Sequence, residues 1–132
     1  MQSWGTWYEN LNKPSWTPSP GIIGLAWTLI YPLIIFSVGY ALVLVVRGKI
    51  SAWVLVPFGL NLLFNFAFTP LFMGQRNLPW ALVDCVLLLL SIIWIMVVIF
   101  PNSKAIFYAQ VPYLAWVTAA TSVMVALNWL NK

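Results

Sequence analysis

The sequence predicts an all-α integral membrane protein, an antiparallel bundle of transmembrane helices, and three observations lead there. Of its 132 residues, 63% are hydrophobic and only 6% charged, and its mean hydropathy is +0.94, far outside the range of soluble domains. Four apolar stretches are each long enough to cross a hydrocarbon core of about 30 Å, which takes roughly 20 helical residues. The period-2 alternation of a barrel strand is absent, so backbone groups that lipid cannot satisfy must be satisfied inside helices. One transmembrane domain accounts for residues 1–132.

Residues 1–21 come before the first span and include WYENLNKPSWTPSP, residues 7–20, with Trp7, Tyr8 and Trp16 interleaved with prolines at 14, 18 and 20. This aromatic, prolyl start lacks the basic opening and small-residue cleavage site of a signal peptide, so the first apolar run is expected to be retained. The segment is either an interfacial anchor or a lid packed on the bundle.

The spans are expected at about 22–46, 53–73, 80–100 and 108–130. Short connections make consecutive helices antiparallel neighbours. Asn77-Leu78-Pro79 reads as a helix start and Pro101 as a stop, so the third helix has the best-marked limits. Pro32, Pro57, Pro70 and Pro112 fall inside the other spans and are expected to bend them. Trp53, Trp80 and Trp129, at span ends, suit an interfacial belt. Trp27, Trp94 and Trp116 lie inside spans, where an indole N–H wants a partner.

Composition excludes several chemistries. Without histidine, a His-ligated haem, a His-based triad and a His metal site are ruled out, and no metal site is expected. Cys85 is the single cysteine, so neither an internal disulfide nor a CxxC motif can form. The net charge of +4 comes from Lys13, Arg47, Lys49, Arg76, Lys104 and Lys132, too scattered for nucleic acid. Four spans place three of these cations on each side, so the positive-inside rule gives no orientation. Glu9 and Asp84 are the only carboxylates. Glu9 reads as solvated; Asp84, about one turn into the third helix, reads as an interfacial helix-end charge or as a partner for Arg76, Lys13 or a ligand.

Asn61 and Asn65, spaced i, i+4, share a helix face that should look into the bundle, for interhelical hydrogen bonding or for ligand contact. A rise of about 1.5 Å per residue puts Trp27, Tyr31, Asn65, Asn61, Ala120 and Trp116 roughly 8 to 21 Å below the face holding the N-terminal segment. Aromatics and amides from three helices thus share one layer. Trp27 with Tyr31, and Tyr113 with Trp116, can each form one face. Ala115, Ala119, Ala120 and Ser122 permit either close helix packing or space for a planar ligand.

Taken in order, WYENLNKPSWTPSP, GLAWTLIYP, GLNLLFNFAFTPLF, NLPWALVDC and VPYLAWVTAAT resemble the translocator protein family, TspO/MBR, also called tryptophan-rich sensory proteins. The resemblance implies a helical bundle, often homodimeric, that binds tetrapyrroles such as protoporphyrin IX, and in some members sterols and synthetic aromatics, in an apolar pocket closed by the first loop. It implies that Trp27 and Trp116 are the pocket tryptophans linked in some bacterial members to light-dependent porphyrin breakdown. By the same resemblance Asn65 is a ligand-contacting amide and Ala120 a pocket-facing small residue. Family members have five spans, with the covering loop after the first; here six residues precede Trp7, so four spans are expected and the first of the five is expected to be missing. No Leu/Val-x-Tyr-x-Lys/Arg pattern follows Tyr113, so sterol is unsupported.

The expected ligand contacts are therefore Trp27, Tyr31, Asn61, Asn65, Phe68, Tyr113, Trp116, Ala119 and Ala120, with Trp7, Tyr8, Leu11, Lys13, Pro14 and Trp16 as the lid. The leading functional reading is a membrane receptor or regulator that binds porphyrin as ligand, with no obligatory cofactor, as a homodimer in lipid. The alternatives are light- and oxygen-dependent porphyrin degradation by Trp27 and Trp116, or a small transporter or assembly subunit. A bacterial cell membrane is the favoured location, or the mitochondrial outer membrane in a eukaryote.

Overall fold

A computed structural model of the chain describes residues 10–17, 20–75 and 77–131, apart from the side chains of Pro20 and Met73. Trp7, Tyr8, Glu9, Pro18, Arg76 and Lys132, named above, lie outside the described residues. Among the described residues four helices make up the bundle, α1 (Pro20–Val46), α2 (Leu55–Thr69), α3 (Leu78–Ile99) and α4 (Lys104–Leu130), and each, α2 together with its flanking turns over Ala52–Phe72, is long and apolar enough to cross a membrane. A 3-10 turn, Ala52–Val54, leads into α2, and a π-helical turn, Pro70–Gly74, extends it.

Local chemistry sets the helix ends. α1 stops at Gly48, whose φ of 70° lets Lys49 N donate to Leu44 O at 2.8 Å and Gly48 N to Val45 O at 3.0 Å, the two bonds of a Schellman cap. Pro57 sits in the first turn of α2, where no intrahelical acceptor is waiting for its missing N–H. Pro70 opens the π-helical turn, in which Gln75 N reaches back to Pro70 O at 2.8 Å. The Asn77 side chain caps α3 by accepting from Trp80 N at 3.1 Å, with Pro79 in the first turn. Ser103 caps α4 by accepting from Ile106 N at 3.3 Å. α4 thus begins at Lys104, earlier than the apolar run, because hydropathy marks where lipid starts and a cap marks where the helix starts.

The helices pack in the ring order α1–α4–α3–α2, and α1 and α2 scarcely touch where the ring would close. Three apolar layers fill the interior. Phe72, Leu78, Cys85, Met124 and Leu127 lie at the end near both termini. Ile30, Ile34, Leu88, Ile92, Tyr113 and Val117 form the middle, and Ala41, Phe58, Ile95, Ile99 and Ile106 the far end. The outer surface is as apolar as the core, with Leu25, Leu29, Ile35 and Val97 among the most exposed residues, as lipid requires. Trp53, Trp80 and Trp129 are exposed at helix ends, where a belt would place them.

Two side chains of α3 take opposite directions. Asp84 faces the bundle interior and is only 4% exposed, because its position falls on the inward stripe of α3 with Ala81, Leu88 and Ser91. Trp94 does not join the other intraspan tryptophans but faces outward from α3, 44% exposed.

Residues 10–17 lie across the end of the bundle where α4 finishes. Asn12 N donates to Asn131 Oδ1 at 3.0 Å, and Asn131 Nδ2 donates back to Asn12 O at 2.9 Å. Leu11 packs on the apolar layer beneath. Breaking this clasp with Asn131→Ala should accelerate hydrogen exchange at the Asn12 amide by about tenfold, the worth of one hydrogen bond, with core amides such as Ile92 unchanged.

Candidate functional site

Where α1 and α2 fail to close the ring, an apolar cavity of about 520 Å³ opens, within the roughly 300–1,000 Å³ typical of ligand sites. Its walls follow helical periodicity: Ile23, Gly24, Trp27 and Tyr31 from α1, and Asn65, Phe68, Thr69 and Phe72 from α2 and the π-helical turn. α3 contributes Cys85 and Leu88, α4 the face running from Trp116 through Ala120 to Leu127, and Thr17 the N-terminal segment's share.

The aromatic residues form a connected wall. The Trp27 ring lies 5.3 Å from Tyr31, tilted by 35°, and meets Trp116 edge-on at 6.3 Å and 86°. It also meets Tyr113 edge-on at 6.4 Å. Opposite, Phe68 stacks on Phe72 at 5.3 Å and 16°; the widened turn after Pro70 carries Phe72 inward. Such rings present flat, polarisable apolar faces that favour other aromatics.

One chain of hydrogen bonds runs behind this wall and touches all four helices. Tyr31 Oη donates to Asn65 Oδ1 at 2.9 Å, and Asn65 Nδ2 donates to Tyr113 Oη at 2.8 Å. Tyr113 Oη donates to Asn61 Oδ1 at 3.3 Å, Asn61 Nδ2 to Ser91 Oγ at 3.1 Å, and Ser91 Oγ to Leu88 O at 2.6 Å. Farther along, Gln110 Nε2 donates to Ser37 Oγ at 3.0 Å. Among the described residues, three buried side-chain atoms have no partner: Trp116 Nε1, Asp84 Oδ2 and Gln110 Oε1. Of these three residues, only Trp116 lines the cavity, and its indole nitrogen is itself buried.

Of the expected contact residues, Trp27, Tyr31, Asn65, Phe68, Trp116 and Ala120 come together around the cavity. Asn61 and Tyr113 sit behind it in the hydrogen-bond chain, both buried. Ala119 turns to the outer surface, one helical step away from Ala120. Of the expected lid residues, Leu11 packs on the core, Lys13 Nζ donates to Leu11 O at 3.4 Å, and Pro14 O accepts from Thr17 N and Oγ1. Trp16 is 59% exposed. Sequence reasoning overlooked Ser91, Gln110, Cys85 and Thr17. Ser91 had a readable signal, since Asp84 and Ser91 are polar positions two turns apart on an otherwise apolar helix.

Known proteins match this sequence over nearly its whole length. A family model described as the TspO/MBR family matches residues 1–130. The chain is 35% identical over 128 residues to a Bacillus cereus protein named tryptophan-rich protein TspO, covering 96% of this chain and 81% of that one. It is 34% identical over 126 residues to a tryptophan-rich sensory protein of Cereibacter sphaeroides, covering 93% and 77%. It is also 34% identical over 127 residues to the human translocator protein, covering 89% and 70%.

The hydrogen-bond chain should be as important to stability as to the site. Replacing Asn65 with Leu removes two bonds and takes the acceptor from the Tyr31 hydroxyl, and should cost about 1–3 kcal/mol in detergent unfolding. Trp94→Phe, on the outer face, should change stability by less than about 0.5 kcal/mol.

Proposed function

The chain belongs to the TspO/MBR family and is an integral membrane protein, and from that premise we propose that it is a receptor or regulator whose cavity binds a porphyrin-type tetrapyrrole. The observation carrying this reading is the wall formed by Trp27, Tyr31 and Trp116 around about 520 Å³ of largely apolar space. A flat macrocycle can stack on such rings while its polar edge meets the few polar groups present. Thr17, brought to the cavity by the segment clasped to Asn131, supports a covering role for residues 10–17.

In the dark, titration of the detergent-solubilised protein with protoporphyrin IX should give saturable tryptophan quenching. Trp27→Phe or Trp116→Phe should each weaken binding roughly two- to tenfold, and deletion of residues 1–15 should weaken it further. Cys85, the single thiol, lines the cavity, so bound porphyrin should slow its labelling by a small maleimide. A folded protein that shows neither saturation nor Cys85 protection would overturn the reading.

The edge-on contact of Trp27 with Trp116 favours a second reading, photo-oxidative breakdown of the bound porphyrin. With no acid–base pair among the described residues that line the cavity, the reactivity would come from the excited ligand and oxygen. Illumination should then bleach bound porphyrin faster than free porphyrin, and Trp116→Phe should remove the difference. Equal bleaching in all three samples would exclude it.

A further inference from the structure

We propose that Ser91, which does not line the cavity, is a specificity-determining residue for the cavity's ligand: through the hydrogen-bond chain it decides whether Tyr31 offers the ligand an acceptor or a donor. This rests on the reading of the cavity as a ligand site.

The chain from Tyr31 to Leu88 O runs donor to acceptor in a single direction, with five bonds. In that polarity the Tyr31 proton is committed to Asn65, so the phenol oxygen can only accept from a ligand. Every internal link is a hydroxyl, which both donates and accepts, or a carboxamide, whose oxygen and nitrogen exchange places on a half-turn. The chain can therefore run the other way, through the same atoms. Ser91 then donates to Asn61, Asn61 to Tyr113, Tyr113 to Asn65 and Asn65 to Tyr31, which frees the Tyr31 proton for a ligand acceptor.

The two directions are unequal only at the Ser91 end. Inversion takes the Ser91 proton from Leu88 O, so the chain loses one bond unless a ligand acceptor replaces it. Tyr31 consequently favours a ligand that presents an N–H or O–H edge, and a carbonyl or carboxylate edge at that position must first invert the chain. A tetrapyrrole should accordingly turn its carboxylates away from Tyr31. Ser91→Ala removes the asymmetry, because either direction then retains three bonds among Tyr31, Asn65, Tyr113 and Asn61.

Carbazole and 9-fluorenone make a matched pair of planar tricyclic probes, one carrying only an N–H donor and the other only a C=O acceptor. Their affinities for the solubilised protein can be measured by tryptophan quenching, and the fluorenone carbonyl stretch by infrared. Wild type should prefer carbazole, and Ser91→Ala should shift the ratio toward fluorenone by roughly three- to tenfold, the worth of one hydrogen bond. Ser91→Thr, which keeps the hydroxyl, should retain the wild-type ratio. In Ser91→Ala the carbonyl stretch should move to lower frequency, and Tyr31→Phe should abolish that shift, separating Tyr31 from the Trp116 donor. A Ser91→Ala variant that loses both affinities equally, or keeps the wild-type ratio, would overturn the role of Ser91 while leaving the cavity a ligand site. So would a Tyr31→Phe variant indifferent to both probes. Failure of both probes to bind wild type would overturn the ligand reading and this inference together, and binding of fluorenone but not carbazole would overturn this inference alone.

Discussion

The rest of the structure depends on a buried run of hydrogen bonds between Asn65, Tyr113, Asn61 and Ser91. In a bilayer, apolar contact does not distinguish the inside of a bundle from the outside, since lipid tails solvate leucine as well as another helix does. A carboxamide in that medium has a strong preference, because an amide left to hydrocarbon loses its partners. The two asparagines therefore fix the rotation of α2. The tyrosine and serine they reach fix α4 and α3, and Tyr31 ties α1 to α2 through Asn65. Dispersion packing of the three apolar layers then completes what the polar groups have aligned.

The Tyr31–Asn65 bond has a special position. α1 and α2 scarcely touch, so this bond spans a seam that packing leaves open, at the inner end of the cavity. The seam costs the bundle contact between two helices and gives it volume enclosed by aromatic side chains. Stability and binding capacity are therefore set against each other at one place, and the middle and far-end layers, where Ile92, Ile95, Ile99 and Ile106 are buried, compensate away from it.

How much of this was legible from sequence follows from the same physics. Asn61 and Asn65 could be read because an i, i+4 amide pair has one tolerable direction in lipid, and the layer shared by Trp27, Tyr31, Asn65 and Trp116 followed from helical rise alone. Rotation of the other helices was less legible. α4 carries polar residues on both faces, Gln110 inward and Thr118 and Ser122 outward, so nothing in its periodicity separates Ala119, which faces outward, from Ala120, which lines the cavity. On α3 the Asp84 and Ser91 pair marked the inward stripe, whereas the outward turn of Trp94 became evident only with the helices packed. The start of α4 was missed because Ser103 signals through a hydrogen bond to Ile106 N, which hydropathy does not register.

The clasp between Asn12 and Asn131 joins residues 119 positions apart. The segment that brings Thr17 to the cavity precedes α1 in the chain, yet its docking site is completed by the last turn of α4 and the residue that follows it. During synthesis the earliest of these elements must therefore wait for the latest. Every intermediate with one, two or three of the described helices inserted carries this segment undocked, and Thr17 takes its place at the cavity only once α4 stands in the bilayer.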